Sequence, residues 1–402
     1  FWGDSGIGKT RMTKEIYYKL KGTTFDFLSI KIQSGNKYLT LINNFLYEKG
    51  YVKKKNYDSL SKMISDCNNI FSNHAIIMID DLHYASKELL DELKIVTKFD
   101  APVTLILCGR TDYSIGDINY ISFVYWSNTD LVEYSYNLSP LSDAETKSFI
   151  RAIIDGIPES ALERLAILSM NNPLFIVQYI EYLLDSKLVK LINRNTVGII
   201  DINSFHSKRN VPQKISDIYR LRLSNLQTSN FGNQCMDILY TLALCNGKIN
   251  FDYFYKYIES DSMCLYELYK RRFISCENSN EISIIHESLF IYLYSNLMSK
   301  KKILKELASV LIHKPNIDLE LNDFHLGRLC MFSNDYNRAI AYFDPIISWL
   351  KLADNISNLN IDMKYYEYLN DIFEVLRTKK AMLALAKKAL LLRIYITLHH
   401  LA

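Results

Sequence analysis

Apolar and polar positions change period several times along this chain, and each change marks an element. Residues 9–21 repeat apolar positions at helical spacing, and 25–32 is a β-rich run. Helical patterns follow at 38–48 and 58–71. Ala75–Ile79 is an uninterrupted apolar run closing on Asp80-Asp81, the pattern of a strand buried on both faces. A helix at 86–98, a buried strand at Val103–Cys108 and a last strand at Val132–Leu138 complete the alternation. Strands alternating with helices predict an α/β fold, a parallel sheet with helices on both faces.

The pattern changes after Ser139-Pro140. Ser142-x-x-Glu145 has the form of a capping box and opens a stretch predicted to be all helical to Leu191. The polar residues 192–210 predict a connecting loop, and helical periodicity returns at Pro212–Leu226. Over 230–300 a helical unit carries a hairpin, Arg272–Ser275 and Glu281–Ile285 flanking Glu277-Asn278-Ser279-Asn280, which predicts a winged helix. From 301 onward the pattern is helical. Leu326-Gly327 followed by Ala339-x-x-x-Phe343 has tetratricopeptide (TPR) repeat spacing, with Asp323, Cys330 and Lys351 at the usual Trp, Tyr and Pro positions. A plain helical hairpin is the alternative there. The expected domains are 1–138, 139–228, 229–300 and 301–402.

Composition narrows the classes. A chain of 402 residues, 49% hydrophobic, holds two to four globular domains. A net charge of +3 gives no broad basic footprint for nucleic acid. Seven cysteines without C-x-x-C spacing read as free thiols in a reducing compartment, neither a disulfide frame nor a zinc site. No apolar run approaches the roughly 18 residues that span a bilayer, and no signal peptide is present, so no membrane association and a cytoplasmic location are expected. Only Phe1 and Trp2 precede the first glycine, without an initiator Met. The expected reading is a piece of a longer protein whose leading strand begins upstream and whose last helix is cut at Ala402.

The chemistry begins at Gly3-Asp4-Ser5-Gly6-Ile7-Gly8-Lys9-Thr10, a complete G-x-x-x-x-G-K-[ST] run. Its glycines let backbone N–H groups turn inward on a polyphosphate, and the helix from Arg11 offers its N-terminus to the same anion. Lys9 reaches the β- and γ-phosphates, and the Thr10 hydroxyl ligates Mg²⁺. The strand ending in Asp80-Asp81 delivers two carboxylates to the crevice where open α/β sheets bind ligands. Asp80 is the expected Mg²⁺ holder through water, and Asp81 the group that orients or deprotonates the attacking water. Arg110, past the next strand, is a candidate for the γ-phosphate or equally an exposed loop arginine. His83 is read as capping or packing rather than catalytic.

These motifs resemble the ATPase module of STAND proteins, signal-transduction ATPases with numerous domains, in the bacterial branch of maltose-regulator-type activators. The resemblance rests on the phosphate loop, Ile79-Asp-Asp-Leu-His-Tyr-Ala85, Arg110 and Leu138-Ser-Pro-Leu-Ser-Asp-Ala-Glu145, and covers about residues 1–300. Asn171-Asn172-Pro173-Leu174 is similar to the family's Gly-x-Pro element, with Asn171 in place of Gly; the resemblance implies that Pro173 packs near adenine. Ile285-His286-Glu287 is similar to the Met-His-Asp element, implying a contact of His286 with the β-phosphate of ADP. The resemblance further implies an ATP/ADP- and Mg²⁺-dependent switch. ADP holds a closed monomer. Exchange for ATP, helped by a protein or small-molecule inducer on the C-terminal helices, permits self-oligomerisation, and DNA is met only through a domain outside these residues.

Four functions compete at this stage. They are a switch in a transcriptional regulator, the ATPase module of a nucleotide cyclase or protein kinase, a replication-initiator-type AAA+ ATPase whose winged helix binds DNA, and a nucleotide-bound scaffold without turnover. The third predicts a basic recognition helix in 230–300, where Lys270-Arg271-Arg272 is the cluster available.

Overall fold

The computed structural model describes residues 1–32, 37–67, 74–85, 87–96, 98–110, 134–191, 197–200, 212, 214–251, 262–278, 281–313, 323–352, 368–379 and 382–401. Two compact units result: Phe1–Ser139 with Ala353–Asn370 and Lys387–Ala402, and Pro140–Leu352 with Asp371–Ala386.

In the first unit, α1 (Lys9–Leu20), β1 (Phe25–Lys31), α2 (Lys37–Glu48), α3 (Leu60–Ser65), β2 (His74–Asp80), α4 (Lys87–Val96) and β3 (Val103–Leu107) follow the alternation read from the pattern. β1, β2 and β3 are adjacent and parallel. The short segment Phe1–Trp2 extends the sheet. The Phe1 nitrogen donates to Leu107 O at 2.7 Å and Gly109 N–H to Phe1 O at 3.0 Å. On its other side, Trp2 N–H donates to Tyr136 O at 2.9 Å and Leu138 N–H to Trp2 O at 2.8 Å, around a parallel bridge to Asn137. The strand order is therefore β1, β2, β3, Phe1–Trp2, Tyr136–Leu138, and the phosphate-loop run leaves from inside the sheet. Ile77 and Ile79 are fully buried, and the whole of β2 after His74 is buried, as its unbroken apolar run requires. Of the predicted helix 58–71, Leu60–Ser65 is helical, and 68–71 lies outside the described residues, as does the start of the predicted strand 132–138.

The second unit starts with α5 (Asp143–Ile153), α6 (Glu159–Ser169) and α7 (Pro173–Asp185). Ser142 and Glu145 form the predicted capping box: Glu145 N–H donates to Ser142 Oγ at 3.3 Å and Ser142 N–H to Glu145 Oε2 at 2.8 Å. The helical stretch expected to reach Leu191 stops at Asp185, and Lys187 takes a left-handed backbone (φ 56). β4 (Val189–Leu191) then pairs antiparallel with β5 (Val197–Ile200), so part of the expected loop 192–210 is a strand. The β-branched Val197, Ile199 and Ile200 account for it, in a polar context that hid them.

α8 (Ile215–Gln227), α9 (Gly232–Leu244), β6 (Lys248–Asn250), α10 (Ser262–Lys270), β7 (Ile274–Asn278), β8 (Glu281–Ile284) and α11 (Glu287–Met298) follow. β6, β8 and β7 form an antiparallel sheet in that order, so the predicted hairpin gains a third strand and has the winged-helix pattern. α12 (Lys301–His313), α13 (Asp323–Phe332) and α14 (Tyr336–Leu352) are helical. A Cβ on Gly327 would lie 2.8 Å from the Phe343 ring, so two residues of the TPR-like spacing meet between α13 and α14. Helices also occupy Leu369–Arg377 and Leu383–Leu401.

Candidate functional site

Within the first unit the phosphate-loop run and the paired acids converge. Gly8 caps α1 with a left-handed backbone (φ 109) and makes no side-chain cap bond, the arrangement of a helix N-terminus that can receive an anion. Gly3 (φ 151) is equally constrained: a Cβ there would lie 2.7 Å from Leu138 O and 2.9 Å from Ile7 Cγ2. Lys9 is buried, and its ammonium folds back on the loop, donating to Gly3 O at 2.7 Å and Asp4 O at 2.8 Å. The Arg11 side chain is 75% exposed and pairs with Glu15.

Asp80 and Asp81 end the buried strand β2. Thr10 Oγ1 donates to Asp80 Oδ2 at 2.6 Å, a contact across 70 residues. The other oxygen of Asp80 accepts from Asp81 N–H at 2.9 Å. Asp81 turns the chain with φ 58, a conformation Asp tolerates better than most side chains. Its carboxylate pairs with Lys31 Nζ at 2.9 Å. β3 closes the site: Cys108 N–H donates to Ile79 O at 2.8 Å, Leu82 N–H donates to Cys108 O at 2.9 Å, and Arg110 follows two residues on.

His83 reads the charge of this crevice. Burial pushes its pKa down to about 3, and Arg110, Lys9 and Lys31 add to the shift in that order. Arg110, Lys9 and Lys31 are thus near enough to His83 for their charge to act on it. His83 stays neutral above that pH, in keeping with a packing role; Asp81 rather than His83 precedes the short 3-10 turn Leu82–Tyr84.

Pro173 and His286 belong to the second unit. Pro173 opens α7, and Asn172 caps it, its Oδ1 accepting from Leu174 N–H at 3.0 Å. Asn171, standing where the resemblance expects Gly, takes the left-handed backbone (φ 57) that Gly favours. His286 precedes α11 without a side-chain cap bond, and burial, then Arg222, lowers its pKa to about 4. The Lys270-Arg271-Arg272 cluster is largely engaged internally. Arg271 pairs with Glu267 at 2.6 Å and Asp185 at 3.7 Å, and Arg272 with Glu181 at 3.2 Å. All seven cysteines are free, and all but Cys276 are buried. No helix among the described residues is long and apolar enough to cross a membrane.

Lys31 is the site residue that sequence reasoning missed. Its signal was its place at the end of a β-run expected to lie in a parallel sheet, the edge where such sheets bind ligands.

Residues 1–114 match the AAA domain family. None of the curated proteins matches the sequence. Among solved structures, a Signal Transduction ATPase with Numerous Domains (STAND) protein with a tetratricopeptide repeat sensor from Pyrococcus horikoshii is similar with a TM-score of 0.54 and 13% identity, over 98% of this chain and 55% of that one. This chain thus spans little more than half of that protein's length. The Aeropyrum pernix ORC2 protein, solved in ADPNP–ADP complexes, gives a TM-score of 0.32 at 11% identity, over 74% of this chain and 88% of that one. A RuvB variant from Thermotoga maritima gives 0.28 at 16%, over 73% and 85%. The last two are too far in geometry to bear on the fold. The likeness is one of fold: an AAA-type α/β core over residues 1–114, followed, as in that STAND protein, by helical segments with a TPR-like hairpin.

Proposed function

We propose that this chain binds ATP and ADP at the Gly3–Thr10 loop and hydrolyses ATP slowly, as a nucleotide-controlled signalling switch. The observation that carries the reading is the 2.6 Å contact of Thr10 with Asp80 beside an uncapped helix N-terminus. It brings a hydroxyl and a carboxylate together at the start of α1. Gly3, Asp4, Ser5, Gly6, Ile7, Gly8 and Arg11 contribute backbone to the phosphate cradle. Lys9 exchanges the carbonyls of Gly3 and Asp4 for β- and γ-phosphate oxygens. Thr10 and Asp80 are hard oxygen donors, and their closeness fits Mg²⁺. Bound there, the ion would neutralise charge on the β- and γ-phosphates. Asp81 orients the attacking water and takes its proton. Arg110 meets the γ-phosphate with a planar, permanently charged donor. Pro173 and His286 enter through the resemblance alone, as contacts to adenine and to the β-phosphate of ADP.

The regulatory part follows from differential affinity. Driving a two-state balance from 1:99 to 99:1 takes about 5.5 kcal/mol. Contacts made only when a γ-phosphate and its Mg²⁺ are bound, through Asp80, Asp81 and Arg110, are a source of that preference, and hydrolysis removes them. An inducer on the C-terminal helices, self-oligomerisation in the ATP state and an output domain of a transcriptional regulator complete the proposal.

Rapid-mixing kinetics with light scattering tests it. Slow Mg²⁺-dependent turnover, slower ADP release and a larger particle with a non-hydrolysable ATP analogue are expected. Asp81→Asn should keep ATP binding and slow turnover at least about tenfold; unchanged turnover removes Asp81 from its role. Particle size independent of nucleotide contradicts the switch.

A further inference from the structure

Asn171 stands in the turn between α6 and α7, just before the capping Asn172 and Pro173. Met170 and Asn171 both take left-handed backbone (φ 52 and φ 57), and two such residues in a row are uncommon outside glycine. Asn171 is tied down at two points. Its carbonyl accepts from Leu141 N–H at 3.1 Å, and its Nδ2 donates to Asp143 Oδ1 at 2.9 Å. A carboxylate accepts and does not donate, so the NH₂ end of the amide must face Asp143 and Oδ1 must face elsewhere. That oxygen is buried and has no hydrogen-bond partner among the described residues. Thr146, one turn beyond Asp143 on α5 and fully buried, has its hydroxyl oxygen in the same condition. Buried acceptors are seldom left unpaired, because losing water without a replacement costs free energy. Asn171 Oδ1 therefore calls for a donor that the described residues do not supply.

We propose that Asn171 Oδ1 selects the base of the bound nucleotide, accepting a hydrogen bond from the exocyclic amino group of adenine. The inference rests on the assignment of Pro173, in the same turn, to the adenine contact. The amino group of adenine presents N–H to this oxygen. Hypoxanthine and guanine carry an oxo group in its place and present a second acceptor. Two acceptors that face each other both go unpaired, and that cost is what discriminates between the bases. A glycine at this position, where the resemblance expects one, would form the turn and make no such choice. Asn keeps the left-handed backbone and adds the acceptor.

The test titrates the full chain in magnesium with ATP and, separately, with ITP, whose hypoxanthine base has the oxo group. The wild type should prefer ATP by about tenfold or more. Asn171→Gly removes the amide from a backbone that glycine adopts freely. It should weaken ATP about fivefold to tenfold, leave ITP within about twofold, and so nearly erase the preference. Equal weakening of ATP and ITP in Asn171→Gly gives the side chain a part in the turn alone and overturns the proposal. An undiminished preference in the variant overturns it too. The wild-type comparison decides even if the variant does not fold: saturable binding of both nucleotides with equal affinity defeats the Asn171 inference by itself. No saturable binding of either overturns the proposed function together with it.

Discussion

Replacing Thr10 by Val removes one oxygen and nearly preserves the shape of the side chain. The lost atom donates to Asp80 Oδ2 at 2.6 Å. A hydrogen bond to a charged group contributes about 1.5–3 kcal/mol, and the exposed position of Thr10 on α1 places this one at the low end. Asp80 is not orphaned, since its other oxygen keeps the N–H of Asp81 at 2.9 Å. The fold should therefore lose only about 1.5 kcal/mol. The effect on ligand is larger and depends on metal. If Thr10 and Asp80 share Mg²⁺, Thr10→Val should weaken ATP by about 10- to 100-fold in magnesium, or about 1.4–2.8 kcal/mol. In EDTA the variant and the wild type should agree within about twofold. Isothermal titration of both proteins in both buffers reads this directly. An equal loss with and without magnesium, or no loss at all, refutes the assignment of Thr10 as a metal-side group.

Other expectations concern the scaffold. Arg222 is fully buried, donating to Asp185 Oδ2 at 2.8 Å and Gln178 Oε1 at 2.6 Å; Arg222→Met should cost about 3–5 kcal/mol in a urea melt. Lys at that position should not restore it, because the bonds need a planar fork. Gly327→Val should loosen α13 from α14 through its 2.8 Å approach to Phe343, seen as faster proteolysis there, and Phe343→Leu should partly relieve it. His325 is buried, its Nε2–H donating to Leu244 O at 2.6 Å, and burial lowers its pKa to about 4 from 6.5. The unfolded chain takes up that proton first, so stability holds above pH 6.5 and falls between 6.5 and about 4, by roughly 3 kcal/mol. Thermal melts across this range should show the fall, and His325→Gln should flatten it.

Local features were legible in the sequence and distant pairings were not. The phosphate loop is a single run of eight residues whose geometry is set by its own glycines, so its sequence names it. Asp80-Asp81 was readable because a buried parallel strand has an apolar signature independent of its neighbours. The hairpin Ile274–Ile284 and the Gly327–Phe343 approach were marked by turn residues and by spacing. The position of Phe1–Trp2 between β3 and Tyr136–Leu138 depends on backbone hydrogen bonds over more than 100 residues, which no local pattern encodes. The ion pair of Lys31 with Asp81 and the engagement of Arg271 by Asp185 are equally non-local. A charge cluster in sequence gives no sign of which charges fold onto it.

The central claim is that the loop from Gly3 to Thr10 holds a nucleotide phosphate chain. Titrating the full chain with ATP in magnesium, alongside Lys9→Ala, tests it most directly. Saturable binding at one site per chain, lost in the variant, is the predicted result. Equal affinity in the two proteins, or no saturable uptake by the wild type, contradicts it.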